Sequence, residues 1–558
     1  MTEKKRIAVL LLVSVLVYLN TLGNGFTMDD DAYIFHNAGV TAHSFRVLFQ
    51  PTWGSNLFRP FTYFTLMLNW LVGSDHPFGY HLFNVFLHAA VTLLLYLVLR
   101  RLLDSVSRSE LIAFVAALLF AVHPIHTEAV ASIVGRSEGL AMAFVLAAWL
   151  LHLEDHPYWA FVCFALALLS KESAIIFVPL VCAGDLARGV RKPIFRYAGV
   201  ALVGVLYLGL LWHVQGGRFG AAAINFLDNP LALFPARLRI PNALRIDWKY
   251  LGLQFYPVSL SCDYSYNAIP LYAKFSRNAL AVVAVLLLLT LWLWTFFAAK
   301  KPWFLAGALY LIGFSVTSNV LMPTGTIMAE RLAYLPSAGF CLFLALLWIL
   351  FEQRSQRAAW AALVVVLLLF SARTVARNRD WHDNFSLFNS SVRVVPKSAK
   401  MRAGLGDQYM QRGQLDAARS ELETALHIFP DYWQAVGVLA VVEARQGHDQ
   451  EALRTFEKEL ALTPKTDRDY DLVRVSLAAQ LIKVNQNDRA LTILNQVVQS
   501  SPANPRAWAN RAVILYQRGQ FQAARSDAET ALHLEPTNPQ AQNLLAQLNA
   551  TAPSVPHQ

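Results

Sequence analysis

Cysteine is scarce in this chain, with four residues in 558. Cys163, Cys182 and Cys341 fall inside apolar runs and Cys262 stands alone outside them, which excludes a disulfide framework and a cysteine-based metal site. Charge is sparse as well: 15% of residues are charged and 56% hydrophobic, with a mean hydropathy of +0.39. That composition excludes a soluble globule and predicts an integral membrane protein. Long apolar runs are themselves missing beyond Ser371, so a polar second domain is expected there. The first apolar run, 7–22, has the basic start of a signal peptide but no small-residue cleavage site, and it reads as a retained helix. The net charge of +10 resides largely in short basic loops and implies no nucleic-acid partner.

What is present before Ser371 is a series of eleven apolar tracts: 7–22, 82–99, 111–122, 139–153, 158–169, 174–187, 195–213, 279–298, 303–321, 337–351 and 358–371. Several fall short of the ~20 residues a perpendicular helix needs, so tilt or flanking residues must extend them. Basic residues cluster at alternate ends of these tracts, at Lys4 to Arg6, Arg100–Arg101, Arg188 to Lys192, and Arg354 with Arg357. The positive-inside rule makes those ends cytoplasmic and puts the other ends, with everything after Ser371, outside.

After Ser371 prolines recur at Pro430, Pro464, Pro502 and Pro536, spaced 34, 38 and 34 apart. Small residues precede them at fixed offsets, as in Gly406, Ala418 and Ala425 before Pro430, and Ala512, Ala524 and Ala531 before Pro536. This is the tetratricopeptide (TPR) pattern, where small residues let two helices approach and proline ends the second. Four repeats and a closing helix make a short superhelix with a concave groove. The expected fold is all-α: a polytopic membrane domain (1–372), a linker (373–398), an α-solenoid of repeats (399–550) and a disordered tail (551–558).

The charged residues at the outer ends carry the chemistry. Asp29, Asp30 and Asp31 follow the first helix directly. Adjacent carboxylates beside a bilayer repel one another and are costly to desolvate, so they call for an aqueous cavity with a proton to accept or a cation to hold. Phe45 to Phe49 and Phe58 to Tyr63 read as short amphipathic pieces at the interface, with Arg59 placed to meet a lipid phosphate. In the string His123-Pro124-Ile125-His126-Thr127-Glu128, the two histidines and Glu128 suggest a metal, but no third ligand supports one, and a structural role is favoured. Arg136 is a cation beside the bilayer. Lys171 is followed by Glu172, so it is either half of a structural ion pair or a phosphate ligand. Asp263, Glu330 and Arg331 complete the outward set. Carboxylates with several cations at a membrane surface suit a lipid-phosphate substrate and an acceptor that must lose a proton.

These segments resemble the family of transmembrane and TPR-containing protein O-mannosyltransferases in the GT-C glycosyltransferase superfamily. The likeness runs along essentially the whole chain. The specific strings are His123-Pro124-x-His126-Thr127-Glu128 through Gly135-Arg136, and Ala329-Glu330-Arg331-x-x-Tyr334-Leu335-Pro336-Ser337. Lys171-Glu172, Cys262-Asp263-Tyr264-Ser265 and Arg377 to Trp381 extend it. The resemblance implies a polyprenyl- or dolichyl-phosphate sugar donor, typically mannose, a Ser or Thr hydroxyl acceptor in a protein, and inverting transfer on the outer face. It makes Asp29 the catalytic carboxylate with Asp30 in support; Lys171, Arg331, Arg136 and Arg59 are the expected phosphate ligands, and His123, His126, Glu128, Asp263 and Glu330 further site candidates. No metal and no cofactor is expected. Compact loops and four repeats point to a bacterial inner-membrane protein with its site and repeats in the periplasm. Transfer to a lipid or polysaccharide, or a non-catalytic anchored TPR scaffold, are the alternative readings.

Overall fold

The structure is a computed structural model that describes residues 1–50, 57–217, 224–272, 274, 279–298 and 301–550. The tail expected at 551–558 lies outside the described residues. Among the described residues every regular element is a helix. The chain divides into two compact bodies, Met1–Ser398 and Ala399–Gln558.

Each of the eleven apolar tracts falls on a helix. Six helices are long and apolar enough to cross a bilayer: Glu3–Gly23, Phe78–Leu102, Arg136–Leu153, Ile194–Val214, Ser337–Arg354 and Gln356–Asp380. A seventh candidate is the pair Ser109–Val122 and Pro124–Ala131, bent by 53°. The bend has a local cause. Proline removes a backbone donor and pushes the residue before it to extended geometry, and His123 has φ −67° and ψ 124°. Helices Phe78–Leu102, Ser109–Val122, Arg136–Leu153 and Ser337–Arg354 pack together as the centre of the body. Ile194–Val214 and Gln356–Asp380 instead present rows of exposed leucine and valine, as a lipid-facing helix does.

The two ends of these helices differ. At one end the basic residues pair with acids from neighbouring segments: Arg100 with Glu3, Arg101 with Glu154 and Arg188 with Asp104. The site residues gather at the other end. The segment expected as an amphipathic piece at 58–63 instead opens a helix, Pro60–Gly73, with proline at the first position, where its missing N–H is harmless. Phe58 and Tyr63 are buried, Tyr63 in a cluster with Ile34, Leu48 and Tyr80. This cluster underlies the loop that follows the aspartates.

In the second body, paired antiparallel helices repeat from Ala399–Gln411 to Phe521–Leu534 and close with Pro539–Ala550. The matched small residues Ala418, Ala425, Ala524 and Ala531 are fully buried at the helix contacts.

Candidate active site

The three aspartates take different places. Asp30 is fully buried: one carboxylate oxygen accepts the Thr27 N–H at 2.8 Å, the other the Val134 N–H at 3.2 Å. Burial pushes its carboxyl up to about 7, against the opposing pull of those two amides and of Arg136 and with a small upward push from Asp29. Asp29 is exposed, and among the described residues no hydrogen bond or ion pair holds its carboxylate. Asp31 faces outward, 3.1 Å from the His36 ring. Asp30 therefore fixes the loop and Asp29 is the carboxylate offered to a substrate.

Two further restraints aim Asp29. Met28, immediately before it, adopts the left-handed region with φ 48°, a strain that persists only when surroundings impose it. The Met28 N–H donates to Asn384 Oδ1 at 2.8 Å, the Gly25 N–H to the His382 carbonyl at 2.9 Å, and Asn24 to the Asn378 carbonyl at 3.1 Å.

Around Asp29 three cations each meet a carboxylate from elsewhere in the chain. Arg331 binds Glu128 through its guanidinium and also through its backbone N–H at 2.8 Å. Glu128 is buried, while a third of the Arg331 side chain is accessible. Burial disfavours the Arg331 charge, but Glu128, Asp29 and Glu138 outweigh that and raise its proton affinity. Lys171 pairs with Glu138, with side chains only 4% and 9% exposed. The pairing expected between Lys171 and Glu172 is corrected: Glu172 belongs to Arg59, which grips it at 3.0 and 2.6 Å. Burial works to raise the Glu172 carboxyl, but Arg59 overcomes it and holds the group down at about 2. Lys171 in turn feels the charges of Glu138, Arg59, Glu172 and Arg331, so the three pairs form one patch.

Other sequence candidates are placed differently. Arg136 is fully buried beneath Asp30, donating to Asn84 at 3.1 Å, Asn69 at 2.7 Å and the Tyr80 carbonyl at 3.1 Å. Its guanidinium braces the turn rather than facing a ligand. His123 bonds the Gln254 carbonyl at 3.0 Å and accepts the Ile125 N–H; His126 bonds the Phe120 carbonyl at 2.9 Å and Ser337 at 2.6 Å. Both rings are committed to protein partners. No group of three His, Cys, Asp or Glu gathers at metal-binding spacing among the described residues. Asp263 caps its own turn through the Ser265 N–H at 2.7 Å. Glu330 is buried and accepts from the Ser261 N–H at 2.6 Å and the Tyr264 hydroxyl at 2.7 Å. Burial lifts it to about 7, against the pull of Arg377. Glu138 and Glu172 were not among the expected site residues. An acid two positions after Arg136, at the head of an apolar helix, is the signal that Glu138 needs a cationic partner.

The Asp30 anchor depends on Gly135. A methyl group there would lie 2.6 Å from the Glu128 carbonyl and 2.8 Å from the Ala129 carbonyl, both backbone atoms. We expect Gly135→Ala to cost about 1–3 kcal/mol, as overpacking does, and to move the Val134 N–H off Asp30. Thermal unfolding of the purified variant checks this; an unchanged Tm would show that the turn has slack.

The EpsG family model matches residues 7–390, and tetratricopeptide-repeat models match 404–466 and 477–549. The chain is 32% identical over 445 residues to the protein O-mannosyl-transferase F38B6.6 of Caenorhabditis elegans, covering 77% of this chain and 64% of that one. It is 29% identical to the protein O-mannosyl-transferase TMTC3 of Mus musculus (95% of this chain, 64% of that one) and 28% identical to TMTC3 of Homo sapiens (96% and 64%). The chain thus spans just under two thirds of the length of these relatives. With a family model covering its whole helical membrane body and repeat models covering the rest, the chain belongs to the EpsG family and carries a C-terminal tetratricopeptide array.

Proposed function

We propose that the protein is an integral-membrane glycosyltransferase that moves a sugar, mannose by the names of its relatives, from a polyprenyl-phosphate carrier to Ser or Thr hydroxyls of proteins. The carrying observation is Asp29, exposed and unpartnered among the described residues, within the field of the half-paired Arg331. In this reading the acceptor hydroxyl gives its proton to Asp29 while its oxygen attacks the anomeric carbon. The bond from that carbon to the phosphate oxygen breaks, inverting the centre and leaving a lipid phosphate. Arg331 turns its free guanidinium edge to that phosphate, and Lys171 and Arg59 add positive potential behind it. Asp30 and Arg136 hold the base in place without touching substrate.

A cavity beside Glu138, lined by Met142, Ser173, Thr317, Leu335 and Pro336, supports a lipid donor, because its apolar walls suit the first isoprene of the carrier. The basic ends of the helices favour a cytoplasmic side opposite the site. That arrangement sets the site and the repeats on the outer face, the periplasm in a bacterium. The test is a vesicle-reconstituted full chain given polyprenyl-phosphate-[³H]mannose and a Ser/Thr peptide, with intact-mass analysis of exported proteins from cells with and without the gene. Mass increments of one hexose, present only with the gene, are expected. Label recovered in the lipid extract instead would move the acceptor to a lipid, and no label at all would reject the reading.

A further inference from the structure

The four repeats share a buried contact between their two helices, at residues 22 apart and five before each proline. In repeats one, three and four the pairs are Ala403–Ala425, Val475–Val497 and Ala509–Ala531, all apolar and buried. In repeat two the pair is Gly437–Glu459. The two substitutions go together: a methyl group on Gly437 would lie 2.1 Å from Glu459 Oε1, so glycine makes the room the longer side chain uses.

Glu459 is 7% exposed and its Oε2 is buried with no hydrogen-bond partner among the described residues. Burial alone accounts for a carboxyl pushed up to about 7, with no compensating cation. An unpaired buried carboxylate where its three counterparts carry methyl groups costs stability and so calls for an explanation outside the apo fold.

The surroundings supply one. First helices of neighbouring repeats pack directly on each other: Ala399–Gln411 on Trp433–Arg445, Tyr470–Lys483 on Pro505–Gln517, and Pro505–Gln517 on Pro539–Ala550. Second helices have no comparable contact with one another, so the first helices line the inner, concave side. Trp433–Arg445 and Tyr470–Lys483 lack the close contact of the other first-helix pairs, at the one junction where the proline spacing is 38 rather than 34. The second helix behind that wider junction is Asp449–Leu462, which packs on both and carries Glu459.

We propose that Glu459 is a recognition point of the repeat array, receiving the lysine or arginine side chain of a polypeptide that lies along the concave face between repeats two and three. A cation entering there supplies the missing partner for Oε2, and the charge-assisted bond forms in a site already stripped of water. The inference deepens the reading of a protein acceptor, yet it is read out by binding and does not depend on transfer.

The experiment uses the full chain in detergent and fluorescein-labelled hexalysine, hexaserine and hexaglutamate at physiological salt. Three proteins are compared: wild type, Glu459→Gln, and the double substitution Gly437→Ala/Glu459→Ala, which rebuilds the Ala–Ala pair of repeats one and four. The wild type is expected to bind hexalysine in preference to the other two peptides. Both variants should lose at least tenfold in that affinity while their Tm is unchanged or higher. Should Glu459→Gln fold poorly, the double substitution still decides, because it restores a pair the same array already tolerates. Hexalysine binding equal in all three proteins, or no preference for hexalysine in the wild type, overturns the proposal whatever happens to Tm. Hexose transfer with lost hexalysine binding would leave the proposed activity standing while this site fell.

Discussion

Asp29→Asn is expected to lower sugar transfer by about 10²–10⁴-fold, the range a positioned general base contributes, with Tm unchanged. The asymmetry follows from placement. The Asp29 carboxylate is exposed and has no bonding partner among the described residues, so asparagine leaves the fold as it was. Its neighbour behaves oppositely: both oxygens of Asp30 accept backbone N–H groups, and Asp30→Asn leaves one of those amides facing a donor. Asp30→Asn should therefore lower Tm as well as activity. The pair of variants separates base from brace within two adjacent residues. Full transfer by Asp29→Asn would remove the residue from the mechanism.

The second large effect is on stability. Lys171→Met leaves Glu138 charged and unpaired in a site where its side chain is 9% exposed, and breaking a buried pair this way costs about 3–5 kcal/mol. Replacing both partners, as Lys171→Met/Glu138→Leu, should recover most of that loss, because apolar residues of similar volume often replace a buried pair without penalty. Transfer should stay about 10²-fold down in the double variant, the usual loss when one charge-stabilising donor is removed. Thermal unfolding and the transfer assay together complete the cycle. Recovery of both stability and transfer would make Lys171 a purely structural cation.

Local signals in the sequence were read well and distant pairings were not. The proline period and its small residues marked helix contacts that are fully buried in the structure, because each repeat folds from residues near one another in the chain. The acidic and basic strings likewise pointed to residues that share one patch. Which carboxylate answers which cation was not legible. Arg59 and Glu172 are 113 residues apart, and Arg331 and Glu128 are 203 apart. Proximity in sequence suggested Lys171 with Glu172, whereas the fold gave each a more distant partner. The division of labour among the aspartates was hidden for the same reason, since the amide that buries Asp30 comes from Val134. Arg136 looked like a surface cation because sequence alone does not show that Asn69, Asn84 and Tyr80 converge on it.

The loop bearing Asp29 is tied by Asn24, Gly25 and Met28 to Asn378, His382 and Asn384. One of the first segments to leave the ribosome is thus clasped by one of the last of its body. A nascent chain halted before residue 384 has inserted most of its helices yet lacks the clasp that aims the carboxylate. Biogenesis accordingly carries its own safeguard: sugar transfer by half-made chains is withheld until the membrane body is finished, and synthesis of the repeats begins just after that point.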